Sequence, residues 1–90
     1  VSEEPYRLVV ARSAARALAE SLPLAAALAA REFMLGPLLQ SPRVVGKPLD
    51  APLAGQWSAR RGEYRVIYRI DERARTVEVV TVRYRRDAYR

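Results

Sequence analysis

The sequence predicts an α+β fold: two N-terminal helices packed on one face of a four-stranded antiparallel sheet, in the order β-α-α-β-β-β. Three observations carry this. Apolar residues recur at helical spacing between residues 14 and 39. Alternation of apolar and polar residues takes over from residue 56 onward. Between the two, residues 41–55 hold Pro42, Gly46, Pro48, Pro52 and Gly55 with no clear period, which reads as a long loop. The 90 residues contain no repeat and no low-complexity tract, so one domain over 1–90 is expected.

Each element has its own signal. Residues 6–10 form a short β-branched run with an aromatic start, the first strand. Ser13 reads as an N-cap, followed by Ala14, Ala15, Leu18 and Leu22 at helical spacing. Pro23 suits the first turn of a second helix, which carries Leu24, Leu28 and Leu35 on or near one face. Gly36-Pro37 ends or kinks that helix, and Leu38 and Leu39 add a further turn. Residues 57–61 are a short strand, Gly62-Glu63 a tight turn, and residues 64–70 a strand. In that strand Tyr64, Val66, Tyr68 and Ile70 share one face, and Arg65, Ile67 and Arg69 the other. Residues 71–75 turn the chain into a last strand, 76–82, apolar enough to be central. The helices then cover one sheet face and leave the face of Arg65 and Arg69 open as a cationic trough.

Half of the residues are hydrophobic, which supports a packed core and argues against global disorder. There is no cysteine and no histidine, so disulfides, thiolate metal sites and imidazole acid–base chemistry are excluded, and no metal or other cofactor is expected. The longest apolar stretch, 22–30, contains Pro23 and falls well short of the roughly 20 residues of a membrane span. A cytoplasmic protein with no membrane partner is therefore expected. The net charge is +6, and residues 60–90 hold ten of the arginines against five acids. A basic C-terminal third points to a polyanion, above all nucleic acid, with a solvated surface or an acidic protein partner as alternatives. Lys47 is the single lysine. Arginine binds phosphate in a bidentate fork and does not act as a base.

The run 46–49, Gly-Lys-Pro-Leu, and the run 53–71, Leu-Ala-Gly-Gln-Trp-Ser-Ala-Arg-Arg-Gly-Glu-Tyr-Arg-Val-Ile-Tyr-Arg-Ile-Asp, resemble the signature of the RelE/ParE toxin superfamily. The likeness is closest to RelE-type toxins of the actinobacterial kind and to YoeB-like relatives. The tail 82–90, with an arginine after the last strand and a terminal tyrosine, resembles the family's end, and the element order agrees. The resemblance implies a RelE-like fold and a metal-free endoribonuclease that cuts mRNA on the ribosome. It also implies an acidic RelB-like antitoxin, with operator DNA reached only through the toxin–antitoxin complex.

The resemblance assigns catalysis to Arg65 and Arg85, which stabilise the charged phosphorane formed when a 2′-hydroxyl attacks the adjacent phosphate. Tyr89 matches the family's C-terminal tyrosine, which stacks on a base or assists proton transfer. Lys47, Arg60, Arg61, Arg69 and Arg86 read as RNA-backbone contacts. The sequence departs from the family where RelE toxins carry catalytic lysines: the nearest positions hold Gln56, Ser58 and Arg60. The histidine and loop glutamate of YoeB-like toxins are absent. The general base is left open among Asp50, Glu63, Asp87 and Tyr89. Two rival readings stay in view: a ParE-like gyrase poison, and a non-catalytic nucleic-acid-binding homologue that acts as an antitoxin-bound co-repressor.

Overall fold

The computed structural model describes residues 5–84. The chain runs through β1 (Arg7–Val10), α1 (Arg12–Arg16), a π-helical turn (Ala17–Ser21), α2 (Leu24–Leu35), α3 (Pro37–Gln40), β2 (Lys47–Pro48), β3 (Trp57–Arg61), β4 (Tyr64–Asp71) and β5 (Thr76–Tyr84). The strands form one sheet in the order β1-β5-β4-β3-β2.

The α+β class and the element order agree with the sequence reading, but the sheet has five strands, not four, and it is mixed, not antiparallel. The fifth strand is β2, two residues inside the proline-rich loop, paired with β3 through Lys47 opposite Ser58 and Pro48 opposite Trp57. Pro48 has no N–H to offer a further neighbour, so β2 can only be an edge strand. The mixed character comes from β1, which runs parallel to β5. A parallel pair needs a long crossover, and here everything from α1 to β4 lies between the two strands. β5 is central, as its apolar composition predicts.

The helices deviate in two instructive ways. Ser13 is not the N-cap of α1: that position is Ala11, with no side-chain cap, and the Ser13 hydroxyl instead donates to Thr81 Oγ1 at 3.2 Å. The second deviation concerns α2. Leu24, Leu28 and Leu35 face outward, with 75%, 53% and 52% of their surface exposed. The buried residues of that helix are Ala30, Phe33 and Met34. The spacing identifies a stripe correctly but cannot say which stripe meets the sheet. The stripe of Ala30, Phe33 and Met34 is the one that packs with Leu38 and Leu39 of α3 and with the rings of Tyr64 and Tyr68 in a single core.

Tyr68 anchors that core. It is fully buried together with Leu38, Val66, Val77 and Val79. Its ring stacks at 6.4 Å on Trp57, and its hydroxyl donates to the Pro42 carbonyl at 2.5 Å. A second network ties β1 to the β4–β5 turn. The Tyr6 hydroxyl donates to Glu72, Arg43 forms an ion pair with Glu72, and Arg75 lies over the Tyr6 ring at 4.2 Å.

Gly46 fixes the loop against this core. A Cβ added there would sit 2.2 Å from the Tyr68 hydroxyl oxygen and 2.9 Å from the Ser58 carbonyl. Gly46→Ala is therefore expected to cost about 1–3 kcal/mol, the range for overpacking. A lowered urea midpoint at unchanged m-value checks it; a parental midpoint would show that the loop yields freely.

Candidate nucleic-acid interface

The site is built by strand parity. Gly62 and Glu63 form a two-residue hairpin turn, with Gly62 at φ +55°, a conformation that favours glycine at the first central position of such turns. That turn sets Arg61 opposite Tyr64 and Arg60 opposite Arg65. On the other side of β4, Arg65 lies opposite Arg83 of β5. Directly opposed residues share a sheet face, so Arg60, Arg65 and Arg83 form one row across three neighbouring strands on the face the helices leave open. All three are exposed. The adjacent row on that face carries Lys47, Ser58 and Ile67 on β2, β3 and β4.

A depression of about 540 Å³ lies along these rows, with Lys47, Leu49, Ser58, Arg60 and Arg65 in its wall. It contains three cations and no carboxylate. Among the described residues no ion pair reaches Arg60, Arg65 or Arg83. Like charges directly opposite one another destabilise a sheet, so an anion lying over the row would relieve their repulsion. Its bidentate forks suit phosphate.

The other sequence-predicted residues are placed elsewhere. Arg61 is on the helix side of β3, its guanidinium over the Phe33 ring at 4.7 Å. Arg69 is on the open face, but it lies opposite Glu78 and pairs with it at 3.8 Å. Arg85, Arg86, Asp87 and Tyr89 lie outside the described residues. Tyr84 is opposite Tyr64, so the chain reaches residue 84 at the end of the sheet where β4 begins. Sequence reasoning missed Arg83, and only the strand register marks it.

No proton acceptor joins the row from the described residues. Asp50 is exposed on the loop after β2. Glu63 borders a different, apolar depression of about 460 Å³ on the helix side, shared with Pro23, Ala26, Ala29, Tyr64 and Tyr84. Tyr68 is held neutral, since burial pushes its hydroxyl up to about 12. Burial also raises Tyr64, against a smaller opposing effect of Arg61, and its hydroxyl donates to the Ala29 carbonyl at 3.2 Å. Both tyrosines are structural. Among the described residues no three His, Cys, Asp or Glu side chains come together as a metal site, and no helix is long and apolar enough to cross a membrane.

The same architecture and sequence recur in known proteins. The family of the ParE toxin of the type II toxin–antitoxin system parDE matches residues 6–89. The chain is 44% identical over 88 residues to Toxin RelE of Mycobacterium tuberculosis, covering 98% of this chain and 90% of that protein. It is 45% identical over 86 residues to Toxin RelG of the same organism, covering 96% of this chain and 98% of that protein. Among solved structures, the toxin–antitoxin complex RelBE2 from M. tuberculosis superposes with a TM-score of 0.88 at 44% identity, over 91% of this chain and 100% of that chain. The chain therefore belongs to the RelE/ParE superfamily of type II toxin–antitoxin toxins, on its RelE side.

Proposed function

We propose that this toxin is a metal-free endoribonuclease that cleaves mRNA, engaged on the ribosome, by attack of a 2′-hydroxyl on the adjacent phosphate. The observation that supports this reading is the exposed Arg65, opposed by Arg60, beside a depression that holds Lys47 and no carboxylate. In the reaction the 2′-oxygen bonds to phosphorus, its proton passes to a base, and the 5′-oxygen leaves with a proton from an acid. Arg65 takes the charge that builds on the non-bridging oxygens, and cations on this face hold the flanking backbone. Arg85 and Tyr89 are assigned to the same centre by the family resemblance, as second phosphorane contact and as stacking or proton-transfer group. The missing base is supplied by Tyr89, by Asp87 or by the ribosome.

The partner we infer is an acidic RelB-like antitoxin, because the related RelBE2 structure is a toxin–antitoxin complex. Residues 60–90 carry most of the net charge, so association is expected to be fast and to slow as salt rises. Operator DNA is contacted through that complex.

Primer extension on a translated mRNA tests the activity. Cuts within codons, appearing only during translation, are expected. DNA damage without RNA cuts would select a ParE-like gyrase poison instead. Neither effect would select an inert co-repressor.

A further inference from the structure

We infer that Arg83 is a phosphate-binding residue, and that the backbone of single-stranded RNA crosses the strands of the sheet along the row Arg60–Arg65–Arg83. The inference rests on the ribonuclease reading of Arg65 and adds to it a residue and a direction.

The argument begins with the register. Arg65 on β4 is flanked by Arg60 on β3 and Arg83 on β5, each directly opposite it. Elsewhere on this face the sheet opposes unlike charges: Arg69 lies opposite Glu78 and pairs with it. The row of three arginines is the exception, and among the described residues no carboxylate pairs with it. An anionic ligand laid over the row would supply the negative charge that the described residues do not.

Geometry sets the kind of ligand. Neighbouring strands are about 4.8 Å apart, so the outer Cα atoms of the row are about 10 Å apart. That exceeds the width of one phosphate. With the side chains extended straight off the sheet, a single anion over Arg65 would leave the outer guanidiniums unmatched, whereas a chain of phosphates crossing the strands meets all three. Arg65 then holds the scissile phosphate, and Arg60 and Arg83 hold those on either side. Lys47, in the adjacent row and on the far side of β3 from Arg83, flanks the end of the path at Arg60.

The two kinds of contact differ in their kinetic signature. A flanking contact exists in ground state and transition state alike, so its loss raises KM and leaves kcat nearly unchanged. The salt dependence of binding counts phosphate contacts directly, with a slope of about −0.7 per contact for single strands.

The test uses the full-length toxin and a single-stranded RNA of 2′-O-methyl nucleotides, which cannot be cleaved. Affinity is measured over a range of salt. Arg83→Gln is expected to make the slope shallower by about 0.7, Arg83→Lys to keep the parental slope, and Arg73→Gln, on the exposed β4–β5 turn, to keep it too. A parental slope for Arg83→Gln overturns the inference, as does an equal change for Arg73→Gln, which would mean only net charge is being read. Because no cleavage occurs, failure here leaves the ribonuclease reading to stand or fall by primer extension.

Discussion

Arg65→Ala is expected to lower cleavage by roughly 10²–10³-fold, the loss typical of removing one preorganised donor to transition-state charge. The variant should be non-toxic on induction while its melting temperature stays close to that of the parent. The two outcomes separate because Arg65 is exposed and pairs with no carboxylate among the described residues. Exposed residues of this kind usually change stability by less than about 0.5 kcal/mol, and here one like-charge opposition with Arg60 and one with Arg83 are relieved. Growth after induction, at equal expression, is the measurement, paired with thermal melting of the purified proteins. Full toxicity of the variant would remove Arg65 from the centre. A non-toxic variant that melts many degrees lower would make the residue structural.

The largest effect on stability is expected at Tyr68. Tyr68→Ala empties a fully buried aromatic site and should cost about 3–5 kcal/mol, a large share of the roughly 5–15 kcal/mol of a small domain. Tyr68→Phe keeps the ring and its stacking on Trp57 but leaves the Pro42 carbonyl without its donor, for about 1–3 kcal/mol. The phenylalanine variant also has a distinct pH response. The Tyr68 hydroxyl is pushed up to about 12 in the folded protein, against about 10 for an unperturbed tyrosine. The folded state therefore holds that proton longer than the unfolded state. Stability present below about pH 10 falls as pH rises from about 10 to about 12. Urea unfolding across that window should show a shallower alkaline loss for Tyr68→Phe than for the parent. Equal slopes would mean that another group carries the alkaline loss.

The difference between Arg65 and Arg69 marks how far the sequence reaches toward the site. Both lie on the open face, as alternation through β4 predicts. What stands opposite each depends on register, and register is not in the alternation. Arg61 was within reach of sequence reasoning: a two-residue turn at Gly62-Glu63 makes Arg61 the partner of Tyr64, a core residue, so its side chain belongs to the helix side. Arg83 was out of reach. Counting back from the β4–β5 turn sets Val82, not Arg83, opposite Arg65. The ladder shifts by one residue where Ile67 faces Thr81 and Tyr68 faces Val79, leaving Val80 unpaired. A bulge of this kind inserts one residue and changes the facing of every residue beyond it. It sends Val82 into the core and Arg83 onto the open face.

The sequence by itself determined the class of fold, the central position of β5, the alternation that buries Tyr64, Val66 and Tyr68, and the family, because these depend on local periodicity and on which residues stand at fixed spacings. Tertiary structure alone decided the parallel placement of β1, the pairing of Lys47-Pro48 as an edge strand, and which stripe of α2 faces the sheet. It also decided that Arg60, Arg65 and Arg83 stand in one row while Arg69 is matched by Glu78. The physical reason is common to all of these. Partner choice, register and burial are contests between segments distant in the chain, won by the arrangement that fills the core and pairs the backbone. No local pattern records the outcome of such a contest.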